Sequence, residues 1–185
     1  MKKQTEHYDV VVIGGGASGM FAAGIAAQNG ARVLILEKNR QMGEKLKITG
    51  GGRCNITNAE YDTRVLLKHF GEGEKFLYSA FAQFGVKETF SYFEAQGLPL
   101  VIQERKRAFP KTERAIDVFY TLERILKKNK VTIKTDEKVT SIESSAGKIL
   151  KINTKTGSYT ATNYILATGG QSHPETGSTG YCVLG

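Results

Sequence analysis

An α/β fold is predicted by three features of the 185-residue sequence. Two aliphatic, β-branched runs, 8–13 and 32–36, flank a helical stretch at 18–29. Gly14, Gly15 and Gly16 separate the first run from that helix. Further along, segments 138–144, 148–154 and 158–167 alternate in polarity, with Ala146-Gly147 and Thr156-Gly157 between them. Continuous apolar runs mark strands buried on both faces of a parallel sheet, whereas alternation broken by tight-turn dipeptides marks an antiparallel meander.

The elements follow in chain order. Residues 8–13 form the first strand, and Met20, Ala23, Ala26 and Ala27 give the following helix an inward face that Gly30 ends. Residues 32–36 form the second strand, and a right-handed crossover makes the three elements a βαβ unit. Residues 38–58 are polar and Gly-rich and read as a long loop, which in a compact domain is usually functional. Phe76, Leu77, Ala80, Phe81 and Phe84 have helical spacing, as do residues 86–96, which Gly97 and Pro99 terminate. Residues 100–109 read as two short strands around charged residues, and Ala115, Val118, Phe119, Leu122, Ile125 and Leu126 mark one face of an amphipathic helix. Residues 131–134 add a short strand. Residues 131–164 are thereby a β-meander region within one domain, 1–185, whose length leaves room for a small insertion.

Composition excludes several classes. Hydrophobic residues at 40% and charged residues at 24% suit a globular chain, not a disordered or fibrous one. Two cysteines make no disulfide framework and no Cys/His spacing matches a structural zinc site, so no metal is expected and the chain reads as cytoplasmic. Residues 10–28 carry no charge and follow Lys2 and Lys3, but Glu6, Asp9 and the three glycines speak against a leader or membrane span. The net charge of +8 is concentrated in residues 101–134, which hold ten basic and four acidic residues. Aromatic interleaving is thin in that segment and no RNA-binding motif is visible, so it reads as a solvated face.

The strongest chemical signal is Gly14-x-Gly16-x-x-Gly19 between strand and helix. Gly14 permits the tight turn, Gly16 admits a pyrophosphate, and Gly19 lets helix and strand approach. The N–H groups of Ala17 and Ser18 then open a helix whose dipole favours phosphate. Glu37, followed by Lys38, ends the second strand, where a carboxylate accepts hydrogen bonds from both ribose hydroxyls and repels a 2′-phosphate. The site therefore fits FAD or NAD better than NADP.

Two further segments bear on that choice: residues 43–58, which include GGGRCNITN at 50–58, and residues 167–180, ATGGQSHPETGSTG. With the N-terminal fingerprint they resemble a bacterial family of NAD(P)/FAD-dependent oxidoreductases, also described as aminoacetone oxidase-like FAD-binding flavoproteins. Some of its relatives are linked to reduction of unsaturated bile-acid intermediates. The resemblance spans residues 8–180 and implies a Rossmann-like, glutathione-reductase-type FAD domain that is incomplete at its C-terminus. It implies that the backbone near Val139 lies beside the adenine, that Thr168, Gly169 and Gly170 approach the cofactor, and that the 45–58 loop, with Gly51 and Gly52, reaches the flavin end. Full-length family members insert further domains after this segment and return with a final strand and helix. The family's Gly-Asp-Gly-Tyr run is replaced here by residues 180–185, GYCVLG.

Within that frame Arg53 and Lys45 are candidates for the cation that stabilises a reduced flavin's negative charge, with a loop-anchoring contact as the alternative for each. Asn55 either hydrogen-bonds a flavin carbonyl or holds its own turn. Cys54 lacks a nearby partner thiol and reads as structural; His173 is a candidate acid or base or a loop hydrogen-bonder. No catalytic residue is assigned. The sequence points to an FAD-dependent oxidoreductase portion, with NAD(P)H as a possible donor and no substrate or oligomeric state specified. A non-catalytic FAD-binding fragment and a tRNA-associated flavoprotein are the alternatives.

Overall fold

The structure, a computed structural model, describes residues 5–170. Residues 171–180 of the second signature, with His173, and Cys182 after it lie outside the described residues. The chain divides into two compact units, residues 1–46 with 122–185, and residues 47–121.

The first unit is built on a six-stranded sheet. Its parallel part comprises β1 (Thr5–Ile13), β2 (Val33–Leu36), β6 (Thr132–Lys134) and β9 (Ser158–Leu166), joined by β7 (Val139–Ser145) and β8 (Lys148–Thr154) in the order β6-β2-β1-β9-β8-β7. β1 is central. It pairs Val10 with Val33 through Ile13 with Leu36 on one side, and Thr5 with Ser158 through Ile13 with Leu166 on the other. Because both faces of β1 and β2 are covered, Val10–Ile13 and Val33–Leu36 are all buried, as their unbroken apolar runs predict. Each such aliphatic side chain contributes about 1.5–3 kcal/mol by leaving water. Tyr8, Val11, Ile13, Leu34, Leu36, Val139, Ile152 and Tyr159 form one core cluster.

Helix α1 (Ala17–Gln28) packs on β1, β2 and β9 and buries Gly19, Met20, Ala23 and Gly24. Small residues bring the helix backbone close to the sheet, so the contact row includes glycines where the periodicity pointed to Ala26 and Ala27, which are only half-buried. Gly30, at φ +88°, ends it as expected.

The meander is present, and it is continuous with the parallel sheet. Ala146 and Gly147, both at positive φ, turn β7 into its antiparallel partner β8. β9 pairs with β8 only at Ile152–Tyr159 and Asn153–Ser158, while its other edge runs parallel to β1 from Ser158 to Leu166. β6 pairs with β2, so it belongs to the parallel part of the sheet.

The second unit holds a three-stranded antiparallel sheet of β3 (Thr57–Asn58), β4 (Leu100–Gln103) and β5 (Arg107–Pro110), in the order β3-β5-β4. It also holds α3 (Thr63–Lys68), α4 (Glu74–Gln83) and α5 (Val86–Ala95). Two helices, α2 (Glu44–Gly52) and α6 (Ala115–Lys128), begin in one unit and end in the other. The six apolar residues predicted to line one face of α6 are all buried. One expectation needs correction. Residues 38–58 are not loop throughout, because Glu44 to Ile48 are helical before Thr49, at ψ 149°, breaks the helix. The helix expected from the apolar spacing at 76–84 is present as α4, although none of its residues is buried and Phe76 is 85% exposed. Among the described residues no helix is long and apolar enough to cross a membrane.

Candidate dinucleotide site and the glycine loop

The three fingerprint glycines meet three different physical demands. Gly14 sits at φ +108°, and a Cβ there would lie 2.3 Å from the Ala167 carbonyl oxygen. A Cβ on Gly19 would lie 1.9 Å from the Gly14 carbonyl oxygen, so the first turn of α1 rests directly on the loop. Gly16 has ordinary extended geometry, φ −78° and ψ −173°, and a Cβ there would meet nothing within 4 Å. Space, not backbone strain, is what Gly16 provides. It is the N-cap of α1, with no side-chain cap and no acidic residue in the first turn. Ala17 and Ser18 are exposed, which leaves the helix terminus accessible to an anion.

Glu37 follows β2 and is buried, at 7% exposure. Its Oε2 accepts the Gly15 N–H at 2.6 Å and its Oε1 accepts the Asn39 N–H at 2.8 Å. Each oxygen keeps a further lone pair for a hydroxyl donor. The main chain around it is fixed as well: Glu37 N donates to Lys134 O at 2.9 Å, Glu137 N to Glu37 O at 2.8 Å, and Asp136 N to Asn39 O at 3.0 Å. Gly15, missed by the sequence reading, is locked between Glu37 and the Gly43 N–H, which donates to its carbonyl at 2.9 Å. A Cβ on Gly15 would stand 2.8 Å from Met42 Cγ.

The other predicted positions of this unit are placed as follows. Lys38 is half-buried directly after Glu37, and Lys45 is exposed in the first turn of α2. The Val139 side chain is buried in the core cluster, so only its main chain is available to a ligand. Ala167 N donates to Ile13 O at 2.8 Å, which carries Thr168, Gly169 and Gly170 past Gly14, with Gly169 at φ +81°.

The GGGRCNITN segment belongs to the second unit from Lys47 onward. Gly50, Gly51, Gly52 and Cys54 all take positive φ, between 57° and 82°. Gly51 and Gly52 are exposed with open space where side chains would be. Arg53 stacks on Phe109 at 4.6 Å, donates from Nη1 to Gln103 Oε1 at 3.2 Å, and lies 3.9 Å from Glu113 Oε2. With its amide nitrogen turned inward, Asn55 donates to Thr57 O and Ala108 O at 3.0 and 3.2 Å. Arg53 thus anchors the loop to β4 and β5, and Asn55 anchors it to β3 and β5. Cys54 is buried; burial pushes its thiol up, a hydrogen bond with Thr49 opposes this in part, and a raised pKa suits a structural thiol. Among the described residues no group of His, Cys, Asp or Glu is arranged to hold a metal ion.

The description "HI0933-like protein Rossmann domain" matches residues 8–183. The chain is 36% identical over 171 residues to the 3-dehydro-bile acid delta(4,6)-reductase of Clostridium scindens, covering 91% of this chain and 41% of that protein. It is 29% identical over 175 residues to the ribosomal RNA dihydrouridine synthase of Escherichia coli, covering 94% and 42%. The chain therefore spans about two fifths of the length of these relatives. Its fold is similar to that of the 3-ketosteroid-delta4-(5alpha)-dehydrogenase of Rhodococcus jostii RHA1, solved with 4-androstene-3,17-dione, at a TM-score of 0.71 and 18% identity over 92% of this chain and 47% of that one. At that identity the likeness concerns the fold alone. Taken with the buried parallel strands and the glycine turn closed on Glu37, the match over residues 8–183 places this chain in the HI0933-like Rossmann-domain family.

Proposed function

We propose that this chain is the FAD-binding part of a flavin-dependent oxidoreductase. The observation that carries the reading is the pairing of an uncapped, sterically open α1 terminus with a buried Glu37 tethered to Gly15 at 2.6 Å. The residues present fit the adenylate half of FAD. The α1 N–H groups would hold the pyrophosphate, Glu37 would accept the ribose hydroxyls, and the Val139 main chain would face the adenine. Thr168 to Gly170, with a side chain on only one of three residues, leave their backbone open to the cofactor. Bound FAD would supply two-electron chemistry at its ring, and a reduced nicotinamide is the donor we propose. The protein's own part is to bind, orient and shield.

The names of the two relatives both denote reduction at a ring: a delta(4,6)-reductase acting on a 3-dehydro-bile acid, and an enzyme that makes dihydrouridine. Each involves hydrogen added across a carbon–carbon double bond conjugated to a carbonyl, and that is the substrate class we propose. A small-molecule enone is favoured over RNA because four of the ten basic residues of 101–134 are paired with carboxylates and the segment carries no RNA-binding motif. Lys106 pairs with Glu60, Arg114 with Asp117, Lys127 with Glu123 and Lys134 with Glu6.

Fluorescence titration of the purified chain with FAD and FMN tests the cofactor assignment. FMN lacks the adenylate half, so FAD should bind at least about 100-fold tighter, the equivalent of about 2.7 kcal/mol. Equal affinity for both, or no binding of FAD, contradicts the assignment.

A further inference from the structure

Glu137 is a buried carboxylate, 5% exposed, with no place in the cofactor reading above. Burying a carboxylate is costly unless donors surround it. Here they come from one region of the chain: the hydroxyls of Thr154, Thr156 and Tyr159 all donate to Glu137 Oε1, the last at 3.2 Å. Lys134 closes the far side, with its Nζ 3.2 Å from the Tyr159 hydroxyl and 2.7 Å from Glu6 Oε1, while the Tyr8 hydroxyl donates to Glu6 Oε2 at 2.8 Å. The main chain of the same segment clamps the proposed ribose ligand. Lys134 O receives Glu37 N, Glu137 N donates to Glu37 O, and Asp136 N donates to Asn39 O. Asn39 N is itself a donor to the Glu37 carboxylate.

We propose that Glu137 is a positioning residue that ties the β8–β9 turn to the main chain of Glu37 and so fixes the Glu37 carboxylate against Gly15. The inference rests on the cofactor reading for its functional meaning, but its mechanical content concerns this chain alone. The side chain of Glu137 grips residues 154–159 while its N–H grips Glu37. Loosening the first grip frees the second, and Glu37 then loses its fixed reach to the glycine turn.

Two readouts separate the possible failures. The first is hydrogen exchange of the cofactor-free protein. Glu137→Gln is expected to speed exchange of the Gly15 and Asn39 amides about tenfold, with the Val12 amide in the sheet centre unchanged. Unchanged rates at Gly15 and Asn39, or equal acceleration at Val12, overturn the proposal. The second is a double-mutant cycle on FAD affinity. Glu137→Gln should weaken FAD about tenfold when Glu37 is present and less than twofold in the Glu37→Ala background. The same loss in both backgrounds means a general structural role and overturns it. If wild type fails to bind FAD, or Glu37→Ala binds it like wild type, the cofactor reading fails, and the exchange result still decides the positioning claim. Thr156→Val removes one donor and leaves the carboxylate its other two. It is expected to give a smaller change, about threefold, in the same two readouts, and no change in either counts against the proposal even if Glu137→Gln does not fold.

Discussion

Gly14, Gly16 and Gly19 look equivalent in a motif, yet their surroundings separate a stability role from a binding role. The space a side chain would need is occupied by backbone at Gly14 and Gly19, and backbone does not move aside. Gly14→Ala and Gly19→Ala are each expected to cost about 3 kcal/mol or more of folding stability, read from urea unfolding. Gly16 has open space and an unstrained φ, so Gly16→Val should cost only about 1 kcal/mol, that of a poorer N-cap, well below the cost at Gly14 or Gly19. The same substitution puts a branched side chain where the pyrophosphate would lie, and FAD affinity should fall at least about 100-fold. A Gly16→Val protein that binds FAD normally would remove the α1 terminus from the proposed site.

Helices and strands were readable wherever burial alone dictates the pattern. β1, β2 and α6 have apolar runs or stripes because their surroundings are dry, and these elements fall where the residues indicate. α3 escaped because it is short and its signal is a cap, not a stripe: Asp62 Oδ1 accepts the Arg64 and Val65 N–H groups at 2.9 and 3.2 Å. The start of α2 escaped because only Leu46 of its residues is buried, which leaves no periodicity to detect. α4 was legible from its apolar spacing although none of its residues is buried. At the site, Glu37 and the glycines were legible as a motif. Gly15 and the Glu137 network were not, since hydroxyls brought together by a turn leave no spacing rule in the sequence. Arg53 illustrates how position within an element fixes meaning, because stacking on Phe109 and bonding to Gln103 make it a loop anchor. Arg53→Ala is expected to lower stability by about 1 kcal/mol in urea unfolding, as befits a half-exposed stacked cation.

The whole chain ties a parallel nucleotide-binding half to an antiparallel meander through β9, which pairs with β1 and β8 alike. The polar network under that junction gives the fold an acid-sensitive point. Burial alone would raise the Glu137 carboxyl, but the hydroxyls of Thr154, Thr156 and Tyr159 and the charge of Lys134 hold it below the usual value of 4.5. Glu6 is lowered too, first by its hydrogen bond from Lys134 and then by that from Tyr8. Groups with lowered folded-state pKa values contribute stability above the unfolded-state value and lose it as pH falls through the folded one. The melting temperature should therefore hold above about pH 5 and decline as pH drops below about 4.5, less steeply in Glu137→Gln. An identical acid limb in wild type and Glu137→Gln would show that this carboxylate carries no such stability.

This chain, which spans about two fifths of its relatives' length, is proposed to hold FAD through Glu37 and the glycine turn. A visible absorption spectrum of the purified protein, followed by denaturation and identification of the released flavin, tests it most directly. FAD is expected at close to one per chain after reconstitution, and to be lost in Glu37→Ala. A colourless protein that takes up no added FAD, or a Glu37→Ala variant that retains it fully, would rule out this binding site.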